Sequence, residues 1–89
     1  DSTPRFKVGM GVIPDYLFDG KGMRIDGISE GKPAQNAGLK KGDIVIKLGD
    51  SIVTNMMSYM RALSVFEKGD KSIVVVKREG KDIEKEINF

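Results

Sequence analysis

Apolar and polar residues alternate in short bursts along most of this chain, and fall into a long helical spacing only once. Phe6 to Met10 leads into Gly11-Val12-Ile13, a predicted strand that Pro14 interrupts. Residues 15–22, DYLFDGKG, read as a loop with a turn signal at Asp19-Gly20. Met23, Ile25 and Ile28 mark a second strand over roughly Met23–Ile28 that loosens at Gly27. Ile44–Leu48 predicts a third, Gly49-Asp50 a turn, and Ile52-Val53 a very short strand. Ile73–Val76 is a continuous β-branched run, the pattern of a strand buried on both faces. Glu79-Gly80-Lys81-Asp82 predicts a hairpin turn. In the final strand Ile83, Ile87 and Phe89 share one face, and Glu84, Glu86 and Asn88 the other.

The helical stretch is Met56–Phe66, capped by Thr54 or Asn55 and ended by Lys68-Gly69-Asp70. Met56, Met60 and Leu63 form one stripe, and Tyr59, Ala62 and Phe66 a neighbouring one. Together they span roughly 160°, wider than the usual ~100° core face. A helix that covers a core and also lines a groove needs that width. Tyr59, Ala62 and Phe66 are expected to face the core, and Met56, Met60 and Leu63 the groove. The simpler alternative, all six in the core, is strongest for Leu63.

The segment from Glu30 to Asp50, EGKPAQNAGLKKGDIVIKLGD, is the most specific in the chain. Pro33 suits the first turn of a short helix, where a missing N–H costs nothing. Gly38 can take the left-handed conformation that ends such a helix, with Leu39 folding back over it. Gly42 and Asp43 then turn the chain into Ile44-Val45-Ile46. The order Pro33-Ala34, Ala37-Gly38-Leu39, Gly42-Asp43 resembles the centre of a PDZ domain of the bacterial, protease-associated kind. The resemblance covers Phe6 to Phe89. It implies an α+β fold: a small, partly open β-barrel or sandwich of five to six short strands with two helices. The strand order is expected to be permuted, with Ile83–Phe89 in the place of the first strand of animal PDZ domains.

What the resemblance implies about function is peptide capture. PDZ domains bind extended peptides, usually C-terminal ones, by adding a strand to a sheet edge beside a helix. By position, Gly9, Met10, Gly11 and Val12 match the loop whose N–H groups hold the terminal carboxylate. The groove would be formed by Val12, Ile13, Pro14, Met56, Met60 and Leu63, with an apolar last side chain in the peptide. Flexible methionines suit varied apolar partners. Pro14 departs from the simple pattern. It lacks an N–H where the family strand gives one to the third-last peptide residue, a net loss of roughly 0.5–1.5 kcal/mol. Proline is equally a device that closes an exposed edge strand, so an open and a closed edge both stand at this point.

Gly11-Val12-Ile13-Pro14-Asp15-Tyr16 is most similar to the C-terminal PDZ of di-zinc aminopeptidases of the leucyl/glutamyl type from Bacteroidetes-like bacteria. High-temperature-requirement serine proteases, carboxyl-terminal processing proteases and site-2 metalloproteases are further hosts that the resemblance allows. It implies a location in the cell envelope, the periplasm or outside the cell. Any zinc would belong to a catalytic domain elsewhere in the parent, and no cofactor is expected here. The expected partners are peptide or unfolded-protein C-termini, or the parent's own peptidase domain in a docking role without free peptide.

Composition narrows the chemistry. Eighty-nine residues make one domain with a thin core. The opening Asp1-Ser2-Thr3-Pro4 reads as part of a longer protein, with 1–5 a linker or expression remnant and 6–89 the domain. Net charge is +2 with both signs interspersed, so no nucleic-acid footprint is expected. Lys40-Lys41 and Lys77-Arg78 read as solvated charges. No apolar run is long enough to span a membrane. With no cysteine there is no disulfide, and with no histidine there is no Ser-His-Asp triad. Asp15, Asp19 and Asp26 lack calcium-loop spacing and are not expected to bind metal; Asp15 and Asp19 are expected to cap turns. The domain is expected to be non-catalytic and monomeric, although an open edge at Val12–Ile13 could pair between copies.

Overall fold

The computed structural model describes residues 8–89. The strand start expected at Phe6 and the linker at 1–5 lie outside them. The elements run β1 (Val12–Pro14), β2 (Met23–Ile28), α1 (Pro33–Asn36), β3 (Ile44–Leu48), β4 (Ser51–Ile52), α2 (Met56–Leu63), β5 (Lys71–Arg78) and β6 (Lys81–Asn88). The sheet order is β1-β2-β3-β5-β6, with β4 attached to β3 and every pairing antiparallel. The result is the α+β architecture of six short strands and two helices, with the C-terminal strand on one edge and β1 on the other.

Short apolar runs make these elements because each has one buried face. Ile25, Val45, Val74, Val76 and Ile87 are fully enclosed, and Leu48 nearly so. Ala34 and Leu39 close the core from α1 and the turn after it, and Tyr59, Ala62 and Leu63 close it from α2. The segment after Pro33 folds as its residues dictate. Leu39 N–H bonds to Ala34 C=O at 3.0 Å and Gly38 N–H to Gln35 C=O at 3.0 Å, the paired bonds of a Schellman end.

Two expectations need correction. β5 is buried on one face only: Val74 and Val76 point inward, whereas Ile73 is 44% exposed. Its outer-face residues Ile73 and Val75 oppose Glu86 and Glu84 of β6, and neither is fully buried among the described residues. The β-branched run therefore reflects strand propensity rather than double burial. The main helix ends at Leu63, not Phe66. Ser64 Oγ donates back to Arg61 C=O at 2.7 Å and Phe66 N–H bonds to Leu63 C=O at 3.2 Å. That tightened turn swings the Phe66 ring onto Phe89, with centroids 4.9 Å apart. At the other end Asn55 is the cap, in a reciprocal box with Ser58.

The β5–β6 hairpin closes through Glu79 and Gly80, both at positive φ (+53° and +80°), as a two-residue turn between Arg78 and Lys81. Glutamate is a poor occupant of this left-handed position. Asparagine tolerates it, so Glu79→Asn is expected to stabilise the chain by up to about 1 kcal/mol. Thermal unfolding checks this, with a midpoint rise of several degrees expected.

Candidate functional site

β1 is the edge on which the expected groove would form. Ser29 N–H bonds to Gly11 C=O at 2.8 Å, and Asp15 N–H to Arg24 C=O at 2.9 Å, so both groups are committed to β2. The irregularity in this pairing skips Asp26 on β2 and leaves β1 regular. By strand alternation, the main chain of Val12 and of position 14 then points to the outer edge. Val12 can offer an N–H there; Pro14 cannot. The side chains follow the same order: Val12 is half-buried against the core, and Ile13 is 55% exposed.

The loop before β1 is held tightly. Ala34 N–H bonds to Met10 C=O at 2.7 Å. The Met10 side chain is fully buried in the core, so this residue could meet a ligand only through its backbone. The N–H groups of Met10 and Gly11 find no acceptor among the described residues. Gly11 has φ +78°, and a Cβ built on it would lie 2.1 Å from Lys32 Cβ. Gly9 is exposed, and a Cβ there would meet nothing within 4 Å.

On α2, Met56 and Met60 are half-buried and pack on the core edge, whereas Leu63 is buried among core residues. Of the three-residue stripe read from the sequence, Met56 and Met60 are thus partly open and Leu63 is closed off. Tyr59 and Ala62 are in the core as expected, and Phe66 is half-buried beside Phe89. Burial pushes the Tyr59 phenol well above its ordinary value, so it stays neutral. A cavity of ≈360 Å³ opens between the loop after β1 and the start of α2, with Asp15, Tyr16, Phe18, Thr54 and Met56 in its wall. Asp15 Oδ1 accepts from Leu17 N–H at 3.0 Å, capping the loop turn.

One ion pair with a buried carboxylate was not legible in the sequence. Asp43 is 1% exposed. Its carboxylate accepts from Arg78 Nε at 2.8 Å and Nη2 at 2.7 Å, and from Lys40 N–H at 2.9 Å. Arg78 also donates to Gly38 C=O at 3.1 Å. Burial pushes the Asp43 carboxyl up, but the Arg78 and Lys40 hydrogen bonds and charges together hold it below the usual range. Arg78 is therefore not a solvated strand-end charge. It ties the turn after α1 to β5, thirty-five residues away in sequence. Among the described residues no cluster of acidic residues could hold a metal, and no helix is long and apolar enough to cross a membrane.

Comparison with known proteins places this geometry. The profile of the PDZ domain family matches residues 7–89. The chain is 37% identical over 60 residues to the serine protease Do-like HtrA of Lactococcus lactis subsp. lactis, covering 67% of this chain and 15% of that protein. It is 29% identical over 63 residues to a probable periplasmic serine endoprotease, DegP-like, of Chlamydia trachomatis, covering 71% and 13%. The chain thus spans about a seventh of these relatives. Among solved structures, the HtrA-type protease AlgW with a decapeptide superposes with TM-score 0.83 at 20% identity, over 92% of this chain and 28% of that one. An aminopeptidase N family protein from Idiomarina loihiensis gives 0.82 at 22% identity, over 99% and 14%. The HtrA3 PDZ domain bound to a phage-derived ligand, FGRWV, gives 0.74 at 18% identity, over 92% and 84%.

Proposed function

The chain belongs to the PDZ domain family, and from that premise we propose that it is a non-catalytic module of a bacterial peptidase that captures C-terminal or extended apolar segments. The peptide would add as a strand between Val12-Ile13 and the Met56–Met60 wall, with its carboxylate on the N–H groups of Met10, Gly11 and Val12. One observation carries this reading. The outer edge of β1 faces no other strand among the described residues, and it directly follows a loop whose Met10 and Gly11 N–H groups have no acceptor there. Pro14 removes the next outward donor, so the main-chain strip is short and side-chain contacts carry more of the affinity.

The proposal extends to the parent protein. The HtrA relatives support a serine protease host, and the Idiomarina loihiensis neighbour supports an aminopeptidase host, for which a zinc enzyme is the finer form. A periplasmic or secreted location belongs to the same proposal and is supported by the Chlamydia relative's name. A docking role against the parent's own peptidase domain is favoured by a different observation. Ile13, Tyr16 and Leu17, at and just after β1, are 55%, 77% and 94% exposed, an apolar tip that a fixed neighbour would cover.

An amide NMR titration separates the two. Short apolar-ending peptides with a free C-terminus are expected to shift Gly11, Val12, Met56 and Met60, and amidated versions to shift them far less. Equal shifts with both forms would mean that internal segments are read. No shift at millimolar peptide would overturn capture in favour of docking.

A further inference from the structure

The sheet has a second open edge, at the far end from β1. β6 closes the sheet order there, and it is eight residues long with no proline, against three residues and Pro14 in β1. The two-residue turn makes Arg78 and Lys81 a hydrogen-bonded pair. At the other end of the hairpin Phe89 N–H bonds to Asp70 C=O at 2.9 Å, in the same phase. By alternation, the main chain of Ile83, Lys85 and Ile87 serves β5, and that of Asp82, Glu84, Glu86 and Asn88 points outward. These four residues are exposed, and their N–H groups have no acceptor among the described residues. The charges on this strand are only partly answered by β5. Asp82 meets Lys77 at 3.8 Å. Glu84 and Glu86 instead oppose Val75 and Ile73, and form no ion pair among the described residues. Their one other cross-strand position is the open edge.

We propose that the outer edge of β6 is a second strand-addition site, for an extended segment of a partner protein that carries Lys or Arg at alternate positions. The proposal does not depend on capture at β1. Main-chain bonds to the outward groups of residues 82, 84, 86 and 88 supply the affinity, and the side chains set the choice of partner. Residues of an added strand directly opposite Glu84 and Glu86 share their face, where opposite charges stabilise a pair and like charges destabilise it. A second, antiparallel copy of β6 would set acidic side chains against acidic ones, so the same row that attracts a basic strand keeps identical edges apart. The residues between the basic ones would lie on the face of half-buried Ile83 and buried Ile87, which suits threonine or valine. The exposure of Glu84 and Glu86 keeps each charge contact modest and makes it fall with salt.

The test is an amide NMR titration with the peptide acetyl-Lys-Thr-Lys-Val-Lys-Thr-Lys-amide, which has no terminal carboxylate to offer the loop before β1. Two control peptides accompany it. One has the same residues with all the lysines consecutive, and the other is methylated on the backbone nitrogens of its lysines, which blocks their main-chain bonds. The first peptide is expected to shift the amides of Asp82, Glu84, Glu86 and Asn88 and to leave Gly11 and Val12 unmoved. Both controls are expected to bind at least about fivefold more weakly. Combining Glu84→Gln with Glu86→Gln is expected to weaken the first peptide about three- to tenfold at low salt, and less at high salt. An unchanged unfolding midpoint in that variant shows that the loss is not one of folding. Absence of shifts on β6 at millimolar peptide would overturn the site. Equal binding of either control would also overturn it, by showing charge attraction without strand addition. Shifts along β6 on concentrating the chain alone would show that a second copy takes the edge, and would overturn the assignment to a basic partner.

Discussion

Alanine at Gly11 is expected to cost about 2–4 kcal/mol of stability and to abolish peptide-induced shifts at Val12 and Met60. Two independent penalties meet there. The backbone sits at φ +78°, where a side chain costs about 1–2 kcal/mol. The added methyl would also lie 2.1 Å from Lys32 Cβ, an atom fixed to the main chain that cannot swing away. Relief requires moving the loop away from the segment that carries Ser29 and Ala34, which strains the 2.8 and 2.7 Å hydrogen bonds to Gly11 and Met10. Gly9 is the matched control. It is exposed and has nothing within 4 Å of its missing Cβ, so Gly9→Ala is expected to change stability by less than about 0.5 kcal/mol. Urea unfolding of the two variants checks the contrast. Equal, small effects would mean that the loop yields freely, and would remove the basis for a preorganised carboxylate site.

The second large effect is expected at the Asp43–Arg78 pair. Arg78→Met is expected to destabilise the chain by about 3 kcal/mol near neutral pH, because it leaves the Asp43 carboxylate buried without its bidentate partner. Arg78→Lys retains a charge but not the planar fork, and should recover only part of the loss. The pH dependence gives an independent readout. With Arg78 present, the folded Asp43 carboxyl titrates below its ordinary value of 3.8. Its contribution is then fully present above that value and is lost as pH falls toward the lower folded one. With Arg78 removed, burial dominates and protonation relieves the folded state. The stability gap between the two proteins should therefore begin to shrink above the ordinary value, as the variant's buried carboxyl protonates, and go on shrinking as pH falls toward the lowered folded value. A gap that stays constant on acidification would show that the loss at position 78 is packing rather than charge.

Much of the fold was legible because its signals are local. The short helix beginning at Pro33 and its Schellman end at Gly38-Leu39 follow from residues within one turn of each other. So do the Asn55 cap and the Glu79-Gly80 hairpin. The misreadings share one cause. Ile73–Val76 reads as doubly buried, and Phe66 as helical core, because a sequence shows propensity but not what lies on the far side of an element. Only the packed structure reveals that Ile73 on the outer face of β5 stays exposed and that Phe66 leaves the helix to stack on Phe89.

The candidate site divides in the same way. Gly11, Val12 and Ile13 could be proposed from the sequence because the resemblance to PDZ domains puts the carboxylate loop and groove strand there, and the methionines of α2 because helical spacing gives them a face. That Leu63 sinks into the core while Met56 and Met60 stay half-open depends on how deeply α2 settles, which no periodicity encodes. The contacts of Lys32 and Arg78 were invisible for a related reason. Each acts on a partner brought near by the path of the chain: Lys32 on Gly11, twenty-one residues earlier, and Arg78 on Asp43, thirty-five residues earlier. Spacing along the chain determined the elements, their caps and their turns, since those depend on contacts between near neighbours. The closeness of Lys32 to the loop and the burial of Asp43 were decided only when the sheet order brought distant residues together, because charge pairing and steric contact act through space.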